Sequence, residues 1–398
     1  MSKNIVVCLD GTWNGPGSED EGVLTPTNVQ KIFEHLLNSV GLEPTDNEKE
    51  IVSSPDGVNP TQIAKYLYGV GDANNVLERS IEGASGLGLV ERIVRGYTYL
   101  SRNYEAGDRI YLIGFSRGAY TARALASLVT TQGLLDWKAM NLEPQSTDSY
   151  RAGFAAWKAY KQKIQPDNPG VLEKVADVVG NLCDRLECSP LPSASLRLIS
   201  GVKVNTVAVW DTVGALGVPV LQSLNGEETR ADEFEFCNTS LGSAVAHGFQ
   251  AISADEERLD FTPTLWDNRD GVVQMLFPGA HSDVGGGYEP AESGLATAAL
   301  IWMIDQLKSV GVEFGDVSQI EMGANPLAMS HRPWVGRVPY RTGPRAFTGA
   351  IDVSSGLLAR LGAATAPVQG LGAAPYRPEN LVPTYIKADW SGITRSSV

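Results

Sequence analysis

The segment YLIGFSRGAYTARALASLV, residues 111–129, changes period at its centre. Up to Phe115 it is a short apolar run of strand type. From Gly118 onward, small and apolar residues recur at helical spacing. Between the two lies Gly114-Phe115-Ser116-Arg117-Gly118, a serine set between glycines at a strand-to-helix junction. One reading is an ordinary turn. The other is a G-x-S-x-G corner, where the serine sits on a strained backbone and small flanks admit neighbouring chain. There the N–H groups of the following helix face the reacting oxygen. The pattern occurs once in the chain, and its strand-then-helix context favours the second reading.

Outward from this corner, strand-like and helix-like segments alternate, which predicts an α/β fold with a mainly parallel sheet flanked by helices. Strands are expected at 4–10, 63–71, 109–115, 204–211 and 272–279. Helices are expected after Thr27, a candidate N-cap, and over 88–104, 118–129 and 294–309. Residues 134–203 are longer than a crossover requires and read as a helical insertion or cap. Its best helix carries Tyr150, Phe154, Trp157 and Tyr160 along one side. From about 326 the chain becomes rich in Gly, Pro, Ala and Arg with weak periodicity. The expected organisation is therefore one α/β domain over 1–325 and an irregular extension, 326–398, packed on it.

The 398 residues suffice for one large domain, and the net charge is −14. Phosphate binding needs clustered Lys and Arg, so nucleic acid is excluded as the main partner. Constitutive docking on an anionic membrane is disfavoured for the same reason. The N-terminus lacks a signal-peptide core, and no apolar run reaches the roughly 18 residues of a spanning helix. The expectation is a cytoplasmic protein, with any export using a route that needs no cleaved signal. The four cysteines, Cys8, Cys183, Cys188 and Cys237, lack paired zinc-type spacing and read as reduced structural residues.

A serine hydroxyl needs a base. Of four histidines, His35 falls in the first helix, His331 in the irregular tail, and His247 ahead of the ADEERLDF stretch. His281 directly follows the last predicted strand in FPGAHSDVGGGYEP, where open α/β sheets place their sites. It is the candidate general base. The acid that orients it is Asp211, at the end of VNTVAVWD. Asp255, Asp260 and Asp283 are rivals, although Asp283 is near enough to His281 to brace its own loop. The order Ser116, Asp211, His281 is the order of α/β-hydrolases. For the oxyanion, the N–H of Arg117 is one candidate donor and that of Gly11 or Thr12 the other, with Asp10 bracing the turn.

Two other classes stay open. Asp10, Asp211, His281 and Asp283 could serve a metal-dependent phosphodiesterase, although the Ser116 corner would then have no role. A non-catalytic interaction module on a degenerate hydrolase fold is the third. The aspartyl-phosphate motif D-x-D-G-T is excluded, because Cys8 stands where its nucleophile should be.

Six stretches coincide in order: VCLDGTWN, GFSRGAYTARALA, VAVWDTVGALGVP, ADEERLDFTP, LFPGAHSDVGGGY and YRPENL. Together they resemble a family of uncharacterised α/β-hydrolases that includes type VI secretion phospholipase effectors. The resemblance implies a serine hydrolase that cleaves esters, in some members phospholipid acyl esters, and that requires no cofactor and no metal. By motif it assigns the serine to Ser116, the histidine to His281 and the aspartate to Asp211. The partners it implies are a lipid or other acyl ester, transient membrane contact, and a secretion-system or immunity protein. The chain departs from many relatives at Gln250, where they carry a histidine before the D-E-x-R stretch.

Overall fold

In this computed structural model the structure describes residues 2–11, 19–20, 23–38, 40–41, 48–69, 86–166, 180, 189, 191–214, 241–335, 340–347 and 351–381. Among these, nine strands form one sheet. In chain order they are β1 (Asn4–Leu9), β2 (Val40–Gly41), β3 (Glu48–Ser53), β4 (Gln62–Leu67), β5 (Arg109–Phe115), β6 (Val204–Trp210), β7 (Val245–Ser253), β8 (Val272–Phe277) and β9 (Asp352–Val353). Their order across the sheet is β9-β8-β7-β6-β5-β1-β4-β3-β2. Every pairing from β9 to β4 is parallel, and only the two edge pairings, β4–β3 and β3–β2, are antiparallel.

Burial on both faces is written into the central strands. Alternate residues point to opposite sides of a strand. On β1, Ile5, Val7 and Leu9 join one cluster while Val6 and Cys8 join the other. The first face is covered by α2 (Gly86–Asn103), α3 (Arg117–Gln132) and α4 (Thr147–Ile164). The second is covered by α1 (Asn28–His35) and α6 (Gly294–Ser309). Thr27 caps α1 by accepting the Gln30 N–H.

The insertion helix α4 belongs to the first layer. Phe154, Trp157 and Tyr160 are buried among residues of α2 and α3. Gly153 lets α4 approach α2 closely, since a Cβ there would lie 2.6 Å from Val94 Cγ1. Residues 167–179 and 181–188 of the insertion, with Cys183 and Cys188, lie outside the described residues, as does Cys237. Cys8 is a buried free thiol, and burial pushes its pKa up.

Several described elements are absent from the sequence reading. Strand β3, EKEIVS, has no apolar run because its charges are paired: Lys65 Nζ lies 2.7 Å from Glu48 and 3.1 Å from Glu50, and Arg102 lies 2.6 Å from Glu50. Strand β7, VAHGFQAIS, is broken by His247, Gly248 and Gln250, yet it is paired on both sides. In the C-terminal extension, β9 pairs with β8. Ser354 then caps α7 (Ser355–Gly362) by accepting the Leu357 N–H. Leu357, Ala366, Tyr376 and Leu381 pack against Ile252, Ala254 and Leu276 of the sheet.

The register sets the functional rim. Phe115 is level with Trp210, and Trp210 with Ala251. Ser116 and Asp211 therefore leave neighbouring strand ends at the same height. The Asp211 N–H still donates to Ala251 O at 2.7 Å. Strand β8 ends at Phe277, level with Ser253, and its exit carries the chain to His281.

Candidate active site

Ser116 has φ 56° and ψ −126°, a conformation that side chains other than glycine rarely adopt. Such strain costs on the order of 1–3 kcal/mol and persists only where the surroundings enforce it. Here they do. The Ser116 N–H donates to Trp210 O at 3.2 Å, and its carbonyl accepts the Tyr120 N–H at 3.2 Å. The hydroxyl makes no capping bond to α3. Both flanking glycines are required by contact. A Cβ on Gly118 would lie 2.1 Å from Leu9 O, and one on Gly114 would lie 2.5 Å from Gly118 O. Gly118→Ala is expected to destabilise the fold by about 2 kcal/mol or more, because the atoms it meets are backbone. Urea denaturation of the purified variant measures this.

His281 opens the short helix α5 (His281–Gly285) and is buried. Its ring lies 4.6 Å, centroid to centroid, from Phe115, the residue before Ser116, and meets Phe261 edge-on at 5.0 Å. This closeness explains Gly285, where a Cβ would lie 2.0 Å from the Phe115 ring. Gly286, at φ 84°, bridges to Thr27. Nδ1 of His281 lies 2.6 Å from Asp211 Oδ2. Nε2 is buried and has no hydrogen-bond partner among the described residues. Burial pushes the imidazole below its ordinary pKa of 6.5, and Asp211 pulls it back upward. The ring is therefore neutral at neutral pH, with Nδ1–H donated to Asp211 and the Nε2 lone pair open.

Asp211 is fully buried at φ 36°, one of four non-glycine residues with positive φ among those described. Burial alone would push its carboxyl up. Arg345 overrides this with two bonds, Nη1 to Oδ1 at 2.7 Å and Nη2 to Oδ2 at 2.9 Å, and holds it well below the usual carboxylate range. Ser253 N–H adds a third donor at 3.0 Å. Arg345 is the main residue of this site that sequence reasoning missed. Asn380 of YRPENL fixes it by accepting the Arg345 N–H at 2.7 Å. The same side chain donates to Ala254 O at 2.9 Å and Glu256 O at 2.8 Å. Glu256 in turn accepts the His281 N–H at 3.2 Å and pairs with Arg258.

The other candidates are engaged elsewhere. Asp283 accepts the Ala280 N–H at 2.8 Å and the His331 N–H at 2.9 Å, and it lies 2.6 Å from His331 Nδ1. It thus ties the His281 loop to the extension. His331, which the sequence placed in an irregular tail, is buried and stacked on Tyr288 at 3.7 Å. Asp255 accepts from Gly279 N, Ser330 Oγ and the Tyr376 hydroxyl, and burial pushes it up to about 6. Asp260 lies on a single turn, Leu259–Phe261. His35 Nδ1 contacts Lys31 O within α1, and His247 and Gln250 sit on β7.

Asp10 accepts from Thr27 Oγ1 at 2.7 Å, from the Tyr66 hydroxyl, and from the Gly11 N–H at 2.7 Å. This corrects the expectation for Gly11. Its N–H is already bonded to the Asp10 carboxylate and is not available to an oxyanion in this arrangement. Thr12, the alternative, lies outside the described residues. Arg117 is the first residue of α3, so its N–H sits at the positive end of the helix. Asp10, Asp211 and Asp283 bond to three different partner sets. Among the described residues no group of three or more His, Cys, Asp or Glu is arranged to hold one ion. Of the four residues considered for a metal site, Asp211 and His281 are paired with each other, while Asp10 and Asp283 bond to other partners.

A mainly parallel sheet with a strained serine corner and a histidine–carboxylate pair on one rim is an α/β-hydrolase-like architecture. The chain belongs to the family of type VI secretion phospholipase effectors described as the Tle1-like catalytic domain, whose profile matches residues 3–306. It is 23% identical over 424 aligned positions to YEL023C, an uncharacterized protein of Saccharomyces cerevisiae, covering 78% of this chain and 58% of that protein. A solved uncharacterized protein from Pseudomonas aeruginosa is 15% identical with a TM-score of 0.36, over 81% of this chain and 48% of that one. The Tle1 effector, solved bound to the VgrG spike of the type VI secretion system, is 18% identical with a TM-score of 0.37, over 74% of this chain and 52% of that one. The chain thus spans a little over half the length of the curated relative and about half that of the solved ones. Among the described residues, no helix is long and apolar enough to cross a membrane.

Proposed function

We propose that this chain is a serine hydrolase that cleaves carboxylic esters, with lipid acyl esters as its substrate class. One observation carries the reading. The Asp211-bonded imidazole of His281 packs 4.6 Å from Phe115, on the strand end where Ser116 takes its strained corner. Ser116 Oγ attacks the ester carbonyl while His281 Nε2 takes its proton. Asp211 holds the Nδ1–H tautomer and stabilises the imidazolium that forms. The oxyanion is met by the N–H of Arg117 and by a second donor from the loop beginning at Gly11, assigned here to Thr12. The imidazolium then protonates the leaving alcohol, and water hydrolyses the acyl-enzyme by the same steps in reverse roles. Neither a cofactor nor a metal ion takes part.

The lipid assignment rests on membership of a phospholipase effector family. On the same basis we assign the chain a cytoplasmic origin with signal-independent export. Its expected partners are a secretion-system or immunity protein, and it makes transient contact with the membrane it hydrolyses. The hydrolase domain is assigned to 1–325 with its 134–203 insertion, and 326–398 to an extension, of which 382–398 lie outside the described residues. The direct test is a panel of p-nitrophenyl acyl esters and phosphatidylglycerol or phosphatidylethanolamine vesicles, read by released nitrophenol and fatty acid. Fatty acid release from vesicles is the expected result. Turnover of soluble esters only would exclude lipid as the substrate class.

The pH dependence has a definite sign. His281 acts as a base only when neutral, and its folded pKa is below 6.5. Activity is therefore expected to be more than half its maximum at pH 6.5, to level off above that, and to fall as pH drops through the lowered value. A kcat/KM profile on a soluble ester measures this. An acid limb above 6.5 would contradict the burial argument.

A further inference from the structure

We propose that Arg345 is a positioning residue of the same site: its guanidinium fork keeps the Asp211 carboxylate charged and aimed at His281 Nδ1. The inference rests on the hydrolase reading, because it assigns what that reading leaves unexplained. Asp211 is a fully buried carboxylate, and a neutral His281 gives it a hydrogen bond but no counter-charge. In the absence of a counter-charge, the buried Asp211–His281 pair would retain a proton near neutral pH. If the imidazole holds that proton, Nε2 cannot act as a base. If Asp211 holds it and donates to Nδ1, the ring switches tautomer and Nε2 carries the hydrogen. Both arrangements block Ser116.

The geometry fits a dedicated role. Arg345 comes from 134 positions further along the chain and reaches both carboxylate oxygens. Its side chain is buried, as Asp211 is. The same guanidinium also bonds Ser253 O at 3.1 Å and Phe261 O at 2.5 Å, so the fork is fixed on the far side too. The Phe261 ring stands edge-on to His281, so one cation orders both the acid and a wall of the imidazole pocket. Among the described residues, the charged groups facing the pair are Arg345, Arg258 and Glu256, and the last two are bonded to each other. Arg345 is therefore the cation that answers Asp211. A planar, always-charged fork suits a buried bidentate carboxylate better than an ammonium does.

The experiment is histidine-ring NMR on the full chain, with His281 assigned by the signal lost in His281→Gln. In parallel, the rate at which a fluorophosphonate labels Ser116 is followed against pH. In Arg345→Gln the His281 titration is expected to move upward past its wild-type position. Labelling at neutral pH should fall by roughly tenfold or more and recover toward alkaline pH. A variant whose His281 titration is unchanged, with labelling slowed equally at every pH, would overturn the proposal and leave Arg345 a packing residue. If Arg345→Gln fails to fold, Arg345→Lys decides. It keeps the charge but loses one tooth of the fork, so a smaller upward movement is expected, and a wild-type titration overturns the idea. If Arg345 substitution shifts the His281 titration but the wild-type chain is never labelled at Ser116, the result counts against the hydrolase reading instead.

Discussion

Ser116→Ala will abolish ester turnover, lowering kcat/KM on p-nitrophenyl acyl esters by on the order of 10⁴-fold or more. The effect is large because the proposed mechanism has the hydroxyl form the covalent intermediate, and without it the proposed oxyanion donors could only assist water. The fold should survive. The Ser116 side chain makes no capping bond, and its strained backbone is held by main-chain bonds to Trp210 and Tyr120 that alanine keeps. Near-UV circular dichroism and a urea melt close to wild type would show that the loss is chemical. Turnover within tenfold of wild type would mean that another nucleophile, or a water-only mechanism, does the work.

The second large effect concerns stability as well as rate. Asp211→Ala removes the partner of a buried guanidinium and leaves Arg345 with its charge uncompensated. Breaking one side of such a pair typically costs about 3–5 kcal/mol. His281 also loses the acceptor that fixes its tautomer, so turnover should fall by several orders of magnitude. The two losses separate in a double substitution. Arg345→Met added to Asp211→Ala removes the stranded charge, so much of the stability should return while activity stays absent. Denaturant midpoints and kcat/KM for the four members of the cycle provide the measurement. If the double variant is no more stable than Asp211→Ala, the stranded-charge argument is wrong.

Much of this site was legible in the sequence, because its three central residues sit where strands stop. Ser116, Asp211 and His281 each follow a short apolar run, and strand ends on one rim of a parallel sheet meet by geometry. Arg345 was not legible for a physical reason. It lies in RTGPRAF, one arginine among several in a Gly- and Pro-rich stretch, and nothing local marks it as buried. A signal did exist at Asp211: a carboxylate directly after the apolar run VAVW needs a counter-charge, and that run supplies none. His331 was hidden in the same way, since its partner Asp283 lies 48 positions away. The β3 edge was hidden because its charges look solvated until Lys65 and Arg102 are seen beside them. Gly11 misled in the opposite direction. Its position after β1 suggested a free N–H, but the adjoining Asp10 carboxylate takes it.

The central claim is that a neutral, Asp211-oriented imidazole deprotonates the hydroxyl at the strained corner. Mass-spectrometric mapping of the fluorophosphonate adduct in the full-length protein addresses it most directly. The expected result is a single adduct on Ser116 in the wild type, forming at least ~10³-fold more slowly in His281→Ala. An adduct on a different residue, no adduct at all, or labelling of Ser116 that ignores the loss of His281 would contradict the account.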